Sequence, residues 1–220
     1  MEHTLMKHID LLISRYTSLE VCKDDIVKTY GFLETSYSNG GKLLVCGNGG
    51  SAADSEHIVG ELMKAFKLSR TIPAQQADAL KAVDPEIGTA LANRLQGALP
   101  AIALTAHTAL NTAFMNDCDP ALVFAQQVNG YGYRKDCFLG ISTSGNSLNV
   151  LYAAVTAKAL GLKTIGLTGQ KESKLSKVAD VCIRVPETET YKIQELHLPV
   201  YHCLCLMLEE HFFANKVDRI

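Results

Sequence analysis

The sequence of 220 residues predicts an α/β fold, a doubly wound three-layer sandwich with a central, mostly parallel sheet of about five strands and helices ahead of it at the N-terminus. Three observations carry that prediction. Five short runs (Leu43–Cys46, residues 100–105, Cys137–Ile141, residues 163–168 and Val181–Val185) are largely apolar, as expected of strands covered on both faces. Segments with helical periodicity separate them, and strands alternating with helices pair in parallel and present ligand sites at their carboxyl ends. Two of the runs end in loops dense in glycine, serine and threonine, where such a site belongs.

Composition narrows the function classes. The length suits one large domain or two small ones. A net charge of −2 gives no electrostatic case for a nucleic-acid or membrane partner. No run approaches the ~18 apolar residues of a membrane span, and the first twelve residues are charged where a signal peptide is apolar, so a cytoplasmic location is expected. The seven cysteines form no CxxC pair. Cys46, Cys137 and Cys182 fall in strand-like runs and Cys203 and Cys205 in a helical one, which predicts buried free thiols.

Along the chain, residues 1–40 read as a helical segment that covers the core or builds a subunit interface, with apolar positions at Leu11, Leu12 and Tyr16 and again at Ile26, Tyr30, Leu33 and Tyr37. Asn39-Gly40-Gly41 stops it, and residues 41–220 form the main domain. The first strand runs into Gly47-Asn48-Gly49-Gly50-Ser51, with Ser51 expected as the cap of the helix that follows. Amides at that helix start make a seat for an anion. No lysine follows the glycines, which excludes a nucleotide P-loop. The loose dinucleotide fingerprint Gly47-x-Gly49-x-x-Ala52 lacks its acidic partner, since residues 66–70 are basic; a purely structural tight turn stays open. The helix carries His57 and Glu61, four apart and so on one face, an acid/base pair leaving from the anion seat.

Residues 69–99 read as an inserted helical segment, either a lid or an oligomer contact. Asp84 caps a helix with Pro85 first and Ile87, Leu91 and Leu95 at helical spacing, while residues 71–78 look like loop. After the second strand, Asn116-Asp117-Cys118-Asp119-Pro120 reads as a short acidic loop that either holds sugar hydroxyls or simply caps a turn. The third strand enters Ser142-Thr143-Ser144-Gly145-Asn146-Ser147 before a helix over 148–160. More hydroxyls stand there than capping needs, which favours an anion nest. A short helix near 173–178 joins the last two strands. The final helix, about 191–215, carries Gln194, His197 and His202. Gln194 and His202, eight apart, lie about 80° around a regular helix and share a face, whereas His197 points elsewhere. Pro199 between them is expected to kink the helix.

Together, Cys46-Gly-Asn-Gly-Gly-Ser51, Gly140-Ile-Ser-Thr-Ser-Gly-Asn-Ser147, Leu167-Thr-Gly169 and Ile193-Gln-Glu-Leu-His197 resemble the sugar isomerase (SIS) domain family, and within it the phosphoheptose isomerases. The resemblance implies an aldose–ketose isomerase that interconverts sedoheptulose 7-phosphate and D-glycero-D-manno-heptose 7-phosphate through an enediol, in a homotetramer with active sites at subunit contacts. It implies that Ser51, Ser142, Thr143, Ser144 and Ser147 hold the phosphate and that Asn48, Gly49, Asn116, Asp117 and Gln194 contact the substrate. One Zn²⁺ per subunit is implied on His57, Glu61, Gln194 and His202, with Glu61 as base and His202 as acid/base partner. The chain departs from the family at Lys64-Ala65, where Gly-Arg is usual, in the length of residues 69–99 and at Pro199. Two alternatives follow, a non-catalytic partner-binding member of the replication-initiator-binding type and an isomerase for another phosphosugar; the retained His202 argues against the first.

Overall fold

The computed structural model describes residues 3–214. Helix α1 (His3–Arg15), a 3-10 turn and α2 (Lys23–Ser38) precede β1 (Leu43–Cys46) and α3 (Gly50–Met63). Then come α4 (Ala74–Val83), α5 (Pro85–Ala92), β2 (Ala101–Ala103), α6 (Thr108–Asp117) and α7 (Val123–Tyr131). The rest is β3 (Cys137–Ile141), α8 (Leu148–Ala159), β4 (Lys163–Gly169), α9 (Lys174–Val178), β5 (Val181–Val185) and α10 (Thr190–Phe213).

All four pairings are parallel, in the order β2-β1-β3-β4-β5. Side chains alternate between two cores. Leu43, Val45, Leu139, Ile141, Ile165 and Leu167 pack with α1, α2 and α10, while Leu44, Cys46 and Phe138 pack with α7, α8 and Leu175 of α9. Burial on both faces is why these strands carry no polar alternation. Because β1 lies between β2 and β3, the strand order reverses there, and a crevice opens at the carboxyl ends of β1 and β3.

Several expectations are corrected. Residues 71–78 are not all loop: α4 starts at Ala74 after Pro73, since Ala, Gln and Leu are good helix formers and proline suits a helix entrance. Gly49, not Ser51, is the N-cap of α3; its φ of 56° is open to glycine at little cost, and Ser51 is the second residue of the helix and is buried. Asn116 and Asp117 close α6 and are not loop. Helix α10 runs through Pro199 without interruption. Five cysteines are buried, but Cys118 is exposed and Cys182 half-buried.

Helices α4 and α5 form an arm that packs chiefly on itself, with no buried residue on α4. Gly88 permits the close approach: a Cβ there would lie 2.2 Å from Leu80 O. At the base, Gly97 N donates to Arg70 O at 2.9 Å, and Thr71 bridges Gln96.

One buried ion pair ties the arm base to both helices nearest the crevice. Arg70 Nε donates to Glu209 Oε1 at 2.8 Å, with side chains 0% and 1% exposed. Arg70 Nη1 and Nη2 donate to Leu62 O and Glu61 O, capping the C-terminus of α3, while Glu209 also accepts from the Phe66 and Lys67 amides. Glu209→Ala leaves a buried guanidinium and two amides without their acceptor, so urea unfolding is expected to show a loss of about 3–5 kcal/mol. Replacing both partners with apolar residues of similar volume is expected to cost less; equal losses contradict this account.

His197 is fully buried on α10, its ring near the Thr168 main chain but in no hydrogen bond of ordinary geometry. Burial pushes its pKa from 6.5 to about 4, with the Thr168 main chain opposing weakly. The fold keeps this ring neutral while the unfolded chain takes up a proton, so its contribution is complete above pH 6.5 and is lost as pH falls toward 4. The expected loss is roughly 3 kcal/mol by the linkage relation, and His197→Gln should flatten that limb of the stability–pH curve.

Candidate active site

The two loops predicted from sequence face each other across the crevice. Asn48, after β1, and Asn149, on the first turn of α8, exchange two side-chain hydrogen bonds, each 2.9 Å long. The link holds the glycine loop against the serine loop. Sequence reasoning passed over Asn149, whose partner is remote along the chain.

In the serine loop, Ser142 Oγ lies 2.9 Å from Ser147 Oγ and accepts from Gly145 N at 3.1 Å. Gly145 has φ of 64°, and a Cβ there would lie 2.1 Å from Ser173 Oγ. Glycine is required for both reasons. Thr143 and Ser144 line a cavity with Asn146, Gly169, Glu187 and Thr190. Ser147 caps α8 by position without a side-chain hydrogen bond, which leaves its hydroxyl with Ser142. The loop thus presents hydroxyls and a helix N-terminus, an arrangement suited to an anion.

Across the crevice, Gln194 packs on the first turn of α3: a Cβ at Gly50 would lie 2.5 Å from its Nε2. One to three turns along α3 stand the titratable groups. His57 Nε2 is 3.2 Å from Glu61 Oε1 and 3.4 Å from His202 Nε2 of α10. Lys64 Nζ reaches Glu61 Oε2 at 3.3 Å, so the two carboxylate oxygens have different neighbours. Burial, and His57 beside it, push His202 below its usual pKa, with Glu61 opposing. Tyr201 and Asp54, also overlooked in the sequence, meet behind His57. A residue three before His57 and one just before His202 were the available signals. The structure therefore brings together His57, Glu61 and His202, and separately Ser142 and Ser147. Gln194 lies against Gly50 at the start of the same helix α3, while Asn116 and Asp117 hydrogen-bond each other at the end of α6.

Among the described residues, no group of three or more His, Cys, Asp or Glu side chains is arranged to hold a metal. The donors still suit Zn²⁺ chemically. A tetrahedral ion with ligands about 2.0–2.1 Å away spaces its donors roughly 3.3 Å apart, close to the two distances at His57 Nε2.

A parallel sheet with glycine and serine loops at its switch point, and titratable side chains beside them, defines an α/β protein with a seat for an anionic ligand. Residues 99–207 match the family model described as the SIS domain. A phosphoheptose isomerase of Helicobacter pylori is 38% identical over 199 residues, covering 90% of each chain. That of Aneurinibacillus thermoaerophilus is 38% identical over 180 residues, covering 82% of this chain and 78% of its own. The solved phosphoheptose isomerase of Neisseria gonorrhoeae superposes with a TM-score of 0.71 at 29% identity, covering 94% of this chain and 97% of its own. The chain belongs to the phosphoheptose isomerase family of SIS-domain proteins.

Gly145→Ala tests the nest. A methyl in the left-handed region, pressed on Ser173, is expected to cost on the order of 1–2 kcal/mol of stability. Binding of inorganic phosphate, followed by calorimetry, should weaken about tenfold or more. Unchanged phosphate affinity in a folded variant contradicts the assignment.

Proposed function

We propose that the chain is an aldose–ketose isomerase that interconverts sedoheptulose 7-phosphate and D-glycero-D-manno-heptose 7-phosphate. The observation that carries this reading is the convergence of His57, Glu61 and His202 beside the switch-point loops, in a chain 38% identical to phosphoheptose isomerases. Ser51, Ser142, Thr143, Ser144 and Ser147 seat the phosphate, using hydroxyls and helix-start amides in place of a cation. Asn48, Gly49, Asn116, Asp117 and Gln194 contact the sugar.

The reaction moves one proton between adjacent carbons and another between their oxygens. Glu61 removes the carbon-bound proton, and His202 serves the oxygens. Its lowered pKa keeps it neutral at pH 7, able to give one proton and accept another. Glu61 Oε2, which accepts from the exposed Lys64, is the oxygen suited to proton transfer, while Oε1 is turned toward His57. His57, Glu61, Gln194 and His202 would hold one Zn²⁺ per subunit, which when bound supplies Lewis-acid polarisation of a carbonyl.

A homotetramer is proposed for the assembly and the cytoplasm for its location. Exposed Val83, Ile87, Leu91 and Leu95 on and just after the α4–α5 arm, and Leu11 on α1, offer apolar surface for subunit contacts. Among the described residues, no helix is long and apolar enough to cross a membrane.

Conversion of sedoheptulose 7-phosphate by the purified protein, with NMR of the product sugar, tests the reaction. Glu61→Gln and His202→Ala are each expected to lower kcat by about 10² or more while phosphosugar binding stays measurable. Near-normal rates in either variant overturn that residue's role, and the absence of conversion by folded, zinc-replete protein overturns the substrate.

A further inference from the structure

Tyr201 is 2% exposed on α10, yet its hydroxyl is not idle. The hydroxyl donates to Asp54 Oδ1 at 3.1 Å, and the same oxygen lies 3.1 Å from His57 Nδ1. A phenol has one proton to give. Once it is committed to Asp54, the oxygen can only accept from the imidazole, so Nδ1 of His57 carries hydrogen. In the neutral ring, Nε2 is then the bare nitrogen, and this is the atom 3.2 Å from Glu61 Oε1 and 3.4 Å from His202 Nε2.

We infer that Tyr201, anchored by Asp54, is a positioning residue that locks His57 in the Nδ1–H tautomer and so turns an Nε2 lone pair toward Glu61 and His202. The consequences are chemical. In the metal-free protein the His202–His57 contact becomes a hydrogen bond donated by His202 Nε2. The His57–Glu61 contact then carries no hydrogen of its own between the two atoms, which leaves a place for a cation. In the opposite tautomer, His57 would donate to Glu61 and its Nε2 would be closed to any ligand. The hydrogen bond on one imidazole nitrogen thus decides the chemistry of the other. Edge-to-face packing of the His57 and Tyr201 rings, centroids 5.5 Å apart, holds the geometry from the side.

This inference rests on the isomerase reading for its catalytic meaning but not for its first test. Protein labelled with ¹⁵N-histidine, freed of metal with a chelator, is observed by long-range proton–nitrogen NMR, the His57 signals being identified by their loss in His57→Asn. The expected result is a protonated Nδ1 and a bare Nε2 in the wild type, and loss of that preference in Tyr201→Phe, which keeps the ring and removes only the hydroxyl. Wild-type His57 in the Nε2–H form, or an unchanged tautomer in Tyr201→Phe, overturns the inference. Should Tyr201→Phe fail to fold, the wild-type spectrum decides alone.

Two further readouts separate positioning from simple structural support. Zinc affinity, measured by competition with a chromogenic chelator, is expected to fall about 10–100-fold in Tyr201→Phe, and kcat by a similar factor. KM for sedoheptulose 7-phosphate should stay within about twofold, because the phosphate loops are untouched. A rise in KM with kcat and zinc affinity unchanged would assign Tyr201 to packing and overturn the inference. If the wild type does not isomerise the sugar, the substrate reading fails while the tautomer and the zinc affinity remain measurable.

Discussion

The buried pair of Arg70 and Glu209 is the constraint on which the site depends. Arg70 holds the last carbonyls of α3, and Glu209 belongs to α10, so one ion pair joins the helix that supplies His57 and Glu61 to the helix that supplies Tyr201 and His202. Burying two charges is costly, and the cost is offset only where every donor and acceptor finds a partner. Here the carboxylate takes three N–H groups and the guanidinium reaches two carbonyls besides. Such a junction resists sliding of one helix past the other, and distances of 3.2–3.4 Å among site atoms require that resistance.

The sheet supplies the second constraint. With β1 between β2 and β3, consecutive crossovers leave in opposite directions, and the loops after β1 and β3 border an open crevice instead of a packed layer. Glycine at positions 49 and 145 lets both loops turn at once into helices, which aims the amino ends of α3 and α8 toward the crevice. The paired amides of Asn48 and Asn149 keep those ends in register.

Much of this was legible in the sequence because its signals are local. Strands covered on both faces are apolar throughout, and a histidine and glutamate four apart on a helix share a face wherever the helix goes. The Asp84 cap was legible for the same reason: its side chain accepts from the Glu86 and Ile87 amides. What escaped is nonlocal or hidden by residue type. Arg70 and Glu209 are 139 positions apart, and Asn48 and Asn149 are 101 apart. Tyr201 sits at a position of α10 that reads as core, which it also is; only its hydroxyl carries the second role. The start of α4 was missed because residues 75–78, Gln-Gln-Ala-Asp, are mostly polar and solvated, and a helix that packs chiefly on its neighbour shows no broad apolar stripe.

The base of the arm, closed by the Gly97–Arg70 hydrogen bond and the Thr71–Gln96 bridge, has a topological consequence. Chain that leaves and returns through one small gate adds little to the entropy of closing the fold, because that cost grows only with the logarithm of loop length. The core therefore meets the arm as it would meet a short turn. Such a gate marks a point at which length and surface can diverge between relatives while the geometry of the candidate site behind Arg70 stays unaltered.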